Sequence, residues 1–348
     1  MRFPHPFRPA LVGLDIGSDA VKGVVLRRNR AGWALVGAAE VPLPDTGSSD
    51  PDVAVTAVRE VLDTLRLRRS RVAAALAGQA VMVKRLSLPV MSDAELAEAL
   101  PWEAEQYVPF DLAEVQLDFE RLDAGAVRGT TEVLLIAAKK DRIGARTDLV
   151  LRAGARPVVL DVEACALVNA YLASLDAPPN DRTLLMHAGR ASTIVCLLEG
   201  GELVFTRDLA LGGVSYTDAL VRDLGVEPTV AERLKQPGRP LVPGVDADQV
   251  LAVLLEVTTQ IVAEARKSLD FFRAASPSEP IQRVVLSGGA CRAEGLQAVL
   301  AHEFDAPVEV FDPFRRIVRA GRRPPMADAT GPSFAVAVGL AMRQDGAA

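Results

Sequence analysis

Cysteine is scarce, with three residues in 348. Cys165, Cys196 and Cys291 each stand alone in a hydrophobic stretch. A disulfide framework is therefore not expected, and the thiols read as small core residues in a reducing compartment. Histidine is equally scarce, and His5 and His302 have no ligand-spaced neighbour, which argues against zinc. Nor is there an apolar run of about 18 residues, the length a membrane helix needs. The N-terminal MRFPHPFRPA is basic and broken by prolines, unlike a signal peptide. The C-terminal GLAMRQDGAA is short and polar for a membrane-surface anchor. The expectation is a cytosolic chain that meets a membrane only through partners. An excess of basic residues is missing too. The formal net charge of −6 argues against general nucleic-acid binding, which needs clustered cations. The basic runs Arg66 to Arg71 and Arg315 to Arg323 carry no interleaved aromatics and read as solvated faces. Neither a P-loop nor a GxGxxG fingerprint occurs, which disfavours those nucleotide folds.

What is present is a chain 49% hydrophobic and 24% charged, ordinary for a globular protein and long for a single core, so two lobes are expected. Leu11 to Leu26 reads LVGLDIGSDAVKGVVL, and Leu184 to Leu198 reads LLMHAGRASTIVCLL. Each is an apolar run, a small turn with glycine and a second β-branched run, the pattern of a hairpin. A further strand follows each, at Trp33 to Val41 and at Glu202 to Leu211. With Gly17 aligned on Gly189, the two meanders point to a duplicated α/β fold.

Asp52 to Arg66 has helical apolar spacing, and Val72 to Leu76 reads as a strand. Leu86 to Asp161 reads as an insertion. Within it, Ser92 and Glu95 predict a capping box, and Pro101 is expected to kink or restart the helix. Val115 to Leu122 and Val133 to Ala138 read as strands, and Arg142 to Ala153 as a helix. Asp248 to Ala274 is the longest predicted helix. Val284 to Leu286 is a buried strand running into Ser287-Gly288-Gly289, with a helix from about Glu294.

The turn Asp15-Ile16-Gly17-Ser18-Asp19 ends a buried strand. Glycine admits an anion close to the backbone, and the turn amides and the Ser18 hydroxyl can donate to phosphate oxygens. Lys22 adds a point charge, and Asp15 can hold the water shell of Mg²⁺. A plain hairpin is the other reading. The equivalent turn at Gly189 and the Gly288-Gly289 strand end favour a nucleotide. Trp102, Tyr107 and Phe110 are core or interface aromatics. Asp161 and Glu163, if on one strand, share a face by alternation.

These three turns, in this order, resemble the actin/Hsp70/sugar-kinase superfamily. Within it the chain is similar to the PilM family of type IV pilus assembly proteins, relatives of the division protein FtsA. The similarity runs through residues 13–26, 84–122, 132–143, 153–167, 200–213, 231–235, 284–300 and 334–343. The segment WEAEQYVPF with its surroundings is the most specific part. The resemblance implies an actin/Hsp70-like duplicated two-lobe α/β fold with an FtsA-type inserted subdomain. Residues 1–83 plus 156–181 would form the first lobe, 84–155 the subdomain and 182–348 the second lobe, its last helix packing back on the first. ATP with Mg²⁺ would lie in the cleft between the lobes and fix their relative angle. Asp15, Gly17, Ser18, Asp19 and Lys22 would lie at the phosphates, Asp15 meeting the metal through water. Gly189, Gly212 and Gly213 would flank the phosphates. Glu232 and Lys235 of AERLK would reach ribose and adenine, and Gly288, Gly289 and Arg292 would close over the adenosine. Glu163 is the candidate for orienting an attacking water.

The implied role is a cytoplasmic adaptor binding the N-terminal tail of PilN, with pilus motor ATPases as further partners. Residues 84–155 would supply the groove, with Trp102, Tyr107 and Phe110 as candidate contacts. One departure stands out: the family's second phosphate turn normally begins Asp-Ile-Gly, and this chain has His187-Ala188-Gly189. Either His187 is structural and never meets metal, or Mg²⁺ binding and hydrolysis suffer, leaving at most a slow ATPase. Two alternatives stand beside the adaptor. One is an active ATPase or phosphotransferase of the same fold, which would need a carboxylate base. The other is an FtsA-like division filament protein, against which the missing C-terminal amphipathic helix counts.

Overall fold

The computed structural model describes residues 11–30, 32–44, 50–67, 69–122, 129–174, 181–238, 242–275, 279–319 and 328–343. His5, the N-terminal decapeptide, parts of both basic runs and the last residues of the C-terminal segment lie outside them. In chain order, β1 (Leu11–Ile16), β2 (Ala20–Asn29) and β3 (Gly32–Pro42) lead to α1 (Pro51–Thr64) and β4 (Arg71–Leu76). Next come β5 (Val81–Pro89), α2 (Asp93–Ala104), β6 (Val115–Leu122) and β7 (Thr130–Lys139). They are followed by α3 (Lys140–Arg152), β8 (Arg156–Val162) and α4 (Glu163–Ser174). The second half contains β9 (Arg182–Ala188), β10 (Thr193–Glu199), β11 (Glu202–Leu209), α5 (Gly213–Leu224), α6 (Pro228–Leu234) and α7 (Ala247–Ala275). It ends with β12 (Arg283–Ser287), α8 (Leu296–Phe304), β13 (Val308–Val310), β14 (Val318–Arg319) and α9 (Ala335–Ala341).

The chain divides into two compact units. The first holds Met1–Val81, Ala138–Leu175 and Pro313–Ala348, the second Met82–Ala137 and Asp176–Asp312. The sheet of the first unit runs β14-β3-β2-β1-β4-β8, and the five-stranded sheet of the second runs β11-β10-β9-β12-β13. In both, an antiparallel meander is extended by two strands parallel to its first strand. The repeat seen in the sequence is thus a repeat of topology. The three-stranded sheet β5-β7-β6 carries its own core of Leu86, Leu96, Leu100, Val133 and Leu135.

In the first unit α1 starts at Asp50, whose carboxylate accepts from the Asp52 amide at 2.9 Å, and Pro51 fits its first turn. Of the apolar stripe predicted at Val55, Val58, Val61, Leu62 and Leu65, the first four are buried in one core with residues of β1 and β2, and Leu65, just past the helix, is partly buried against it. Val150 of α3, with Ala153 and Ala155 beyond it, enters the same core. The helix expected to close the inserted segment therefore belongs with the first sheet, and residues 138–155 fall in the first unit. That burial was illegible because α3 is largely polar along its length and offers one buried residue, Val150. At the other end of the chain α9 packs on β1 and α4. A Cβ on Gly339 would lie 1.7 Å from the Ala166 carbonyl oxygen, and one on Gly13 2.2 Å from that of Ala337. Only hydrogen at these two positions lets the backbones meet.

In the inserted sheet the capping box is present. Ser92 Oγ accepts from the Glu95 amide at 3.3 Å, and Glu95 accepts from the Ser92 amide at 2.7 Å. α2 continues through Pro101 as one helix. Pro101 lies in its last turn, so a single backbone bond is lost and no restart follows.

Candidate functional site

In the first unit the Gly17 turn joins β1 to β2, and the Gly17 amide donates to the Ala20 carbonyl at 3.2 Å. Asp15 pairs in register with Lys22, and Lys22 with Glu40. Directly opposed residues project to one face of a sheet, so the three form a charged row. Lys22 Nζ lies 3.8 Å from Glu40 Oε1. Asp15 is 7% exposed, and burial raises its pKa against the opposing fields of Lys22 and Arg146. Burial likewise raises that of Glu40, which Lys22 lowers and Asp19 and Asp15 raise. Ser18 is half-buried and Asp19 exposed. On the other side of β1, β4 pairs with β8 and brings Ala75 beside Asp161, whose carboxylate meets Arg343 Nε at 3.1 Å. Glu163 is the first residue of α4 and not part of β8. Strand alternation therefore does not place it with Asp161; the helix starts one residue after the strand ends. Sequence reasoning missed Glu40 and Arg146. The first is visible only through the β2–β3 register, the second only through the packing of α3.

In the second unit the equivalent turn carries the same bond, with the Gly189 amide donating to the Ser192 carbonyl at 2.9 Å. Register superposes His187 on Asp15 and its partner Ile194 on Lys22. The second turn therefore lacks both charges. His187 pairs with Ser287 of β12, Nδ1 to Oγ at 2.9 Å. Ser287 is fully buried and donates to the Met186 carbonyl at 3.4 Å. The Ser287 hydroxyl thus ties the His187 ring to β12, with the direction of the Nδ1–Oγ bond set by the imidazole tautomer.

Gly212 and Gly213 sit against this turn. The Gly213 amide donates to the Gly189 carbonyl and the Val214 amide to that of Arg190, both at 2.8 Å. These two amides at the start of α5 are thus used on the turn itself. Gly288 has φ +91°, and a Cβ there would stand 2.2 Å from the Ala188 carbonyl oxygen. A Cβ on Gly213 would touch Ala290 Cβ at 3.4 Å, while one on Gly289 meets nothing within 4 Å. The structure thus gathers Gly189, Gly212, Gly213 and Gly288 at one place, with Gly289 on an open side. Arg292 is exposed. Next to it, burial pushes the Cys291 thiol up to about 11, against the field of Arg292.

Glu232 and Lys235 meet across three residues of α6 and its cap. Lys235 Nζ donates to Glu232 at 2.8 Å, to Thr217 Oγ1 at 3.0 Å and to the Gly213 carbonyl at 3.1 Å. Thr217 also donates to Glu232 at 2.5 Å. Burial pushes the Glu232 carboxyl up, but the bonds from Lys235 and Thr217 and the charges of Lys235 and Arg190 hold it below its usual value. This network clamps α6 to the first turn of α5 and keeps a carboxylate beside the glycine cluster.

On the inserted sheet Trp102 is 75% exposed. Tyr107 is exposed and lies under Lys84, with Nζ 3.7 Å from the ring centroid, a cation–π contact. Phe110 packs on the subdomain core.

In the first unit Lys22 and the Asp15 carboxylate stand beside the Gly17 turn, groups of the kind that phosphates and a hydrated cation take. In the second unit Gly212 and Gly288 hold backbone turns close together, with an open side at Gly289. Among the described residues no group of three or more His, Cys, Asp or Glu could hold a metal alone. Mg²⁺ keeps its waters and takes one or two carboxylates together with phosphates, and the Asp15 carboxylate is a donor of that kind.

A model of the family described as type IV pilus assembly protein PilM matches residues 13–345. This chain belongs to the PilM family. A chain of the solved PilM-PilN type IV pilus biogenesis complex is 29% identical to it, with a TM-score of 0.82 over 95% of this chain and 97% of the other. The ethanolamine utilization protein EutJ of Carboxydothermus hydrogenoformans is 16% identical, with a TM-score of 0.53 over 97% and 91%. MreB 5 of Spiroplasma citri, solved bound to AMPPNP, is 12% identical, with a TM-score of 0.53 over 96% and 95%. The last two share the fold alone, and that fold is actin-like. Among the described residues no helix is long and apolar enough to cross a membrane.

Proposed function

We propose that this chain is a cytoplasmic ATP-binding adaptor of the type IV pilus inner-membrane assembly complex. It takes the cytoplasmic N-terminal tail of a PilN partner and reaches the membrane through it. The observation that carries this reading is the TM-score of 0.82 at 29% identity with a chain of the PilM-PilN complex, over 95% of this chain. In this proposal Asp15, Gly17, Ser18, Asp19 and Lys22 serve the phosphates. Gly189, Gly212 and Gly213 keep the second turn tight, and Glu232, Lys235, Gly288, Gly289 and Arg292 serve the nucleoside. Mg²⁺, when bound, supplies charge to the phosphates, and Asp15 holds its waters. Trp102, Tyr107 and Phe110 offer the tail an apolar anchor beside Lys84.

Hydrolysis is slow or absent. His187, bonded to Ser287, puts an imidazole where a second carboxylate would orient the metal's waters, and Glu163 alone is left to position an attacking water. Calorimetric titration with ATP, with and without Mg²⁺, tests the nucleotide site, and titration with the PilN tail peptide tests the partner. Saturable ATP binding lost in Asp15→Ala supports the site. A wild-type chain that ignores ATP but holds the peptide would make it a nucleotide-free scaffold.

A further inference from the structure

Arg146 on α3 is half-buried, with Nη1 3.4 Å from the carbonyl oxygen of Ile16, the last residue of β1 before the Gly17 turn. A guanidinium has five donors and stays charged, yet among the described residues this one long hydrogen bond is all it makes. Burial disfavours its charge most, the fields of Glu163 and Asp15 favour it, and Arg142 opposes it. Ile16 ends β1 and Glu163 directly follows the end of β8, and the two strands lie parallel in one sheet on either side of β4. Open α/β sheets bind ligands at that edge. Lys22, the cation that the sequence singles out, already has Glu40 and Asp15 beside it in register. Arg146 has spent one donor on a carbonyl.

We propose that Arg146 is a phosphate-binding residue of the nucleotide site, a guanidinium held at the first turn for an anion that arrives with the ligand. The inference rests on the ATP-binding reading above. A partly desolvated guanidinium gains most from a phosphate, whose oxygens take two of its N–H groups at once.

The test is calorimetric titration of the full chain with ATP, ADP and adenosine, in Mg²⁺ and in EDTA. Wild type is compared with Arg146→Ala, Arg146→Lys and Arg146→Gln, each checked by thermal melting. Arg146→Ala and Arg146→Gln should weaken ATP and ADP about 10- to 100-fold, the worth of a charge-assisted bond, and leave adenosine nearly unchanged. Arg146→Lys should recover part of the loss. Equal weakening of ATP and adenosine would mean a structural role and overturn the proposal, as would unchanged ATP affinity in any folded variant lacking the charge. If Arg146→Ala does not fold, Arg146→Gln removes the same charge and decides the question in its place. A wild type that binds none of the three overturns the ATP-binding reading itself and takes this inference with it, an outcome distinct from a wild type that binds while the variants bind equally well.

Discussion

In the proposed nucleotide site Asp15 sets folding against ligand binding. Its carboxyl is buried, and its pKa is raised by that burial more than Lys22 and Arg146 lower it. A carboxyl whose folded pKa exceeds its unfolded value stabilises the fold fully below the unfolded pKa, and that contribution is lost as pH rises through the folded pKa. Asp15→Asn should therefore melt above wild type at pH 7, with the gap shrinking as pH falls toward 4. Calorimetric melting across that range reads the effect, and a variant less stable than wild type at pH 7 would contradict it. The same substitution should lose Mg²⁺-dependent ATP binding, so stability and function move in opposite directions. At the second turn, His187→Asp puts a carboxylate in register with the first. It should raise the Mg²⁺ dependence of ATP affinity and any hydrolysis rate, measured by titration and phosphate release. No change in either would make His187 purely structural.

The elements meet through a few backbone contacts that tolerate no side chain. Gly288 combines φ +91° with a Cβ position 2.2 Å from a backbone oxygen. Gly288→Ala should then cost about 3 kcal/mol or more in urea unfolding, since the strain of positive φ adds to a clash that neither backbone can relieve. A loss under about 1 kcal/mol would mean that the turn relaxes. The inserted sheet is tied to the five-stranded sheet by charge. Arg85 of β5 meets Glu132 of β7 at 2.8 Å and Glu199 of β10 at 3.8 Å, and Glu199 also pairs with the buried Arg182. Arg85→Ala leaves Glu132 buried without its cation and should cost about 3 kcal/mol. Adding Glu132→Gln should return part of that, and a double variant no better than the single would locate the loss in packing.

At the scale of the whole molecule the prediction concerns the partner. Trp102 is largely exposed on α2, and beyond the end of that helix Tyr107 lies under Lys84, residue types common in binding anchors. Trp102→Ala should weaken the PilN tail peptide by about tenfold or more while leaving ATP affinity and melting temperature unchanged. If ATP strengthens the peptide, thermodynamic reciprocity requires the peptide to strengthen ATP by the same factor. Titrations run in both orders check this, and identical peptide binding with and without ATP would remove the coupling while leaving the adaptor.

Much of this protein was legible along the chain because strong local signals agreed with the final packing. The two meanders, the α1 stripe, the Ser92–Glu95 cap and the long α7 all follow from periodicity and turn chemistry that the folded state keeps. Gly189, Gly212 and Gly288 could be read from residue type, since each sits where backbone approaches backbone. Tertiary structure alone decided which charges share a face. Glu40 joins Asp15 and Lys22 only through the β2–β3 register, and Arg146 reaches the first turn only because α3 packs on the first sheet. The use of the Gly213 and Val214 amides on the second turn, and of Ser287 on His187, also waited for the fold. Side-chain and amide partners separated by tens of residues leave no periodic trace. The sequence determined the two meanders and their glycine turns, because both are local, whereas the close approaches at Gly13, Gly288 and Gly339 come from backbones far apart in the chain. The electrostatics of the site were decided by strand register and helix docking, which bring distant charges within a few ångströms.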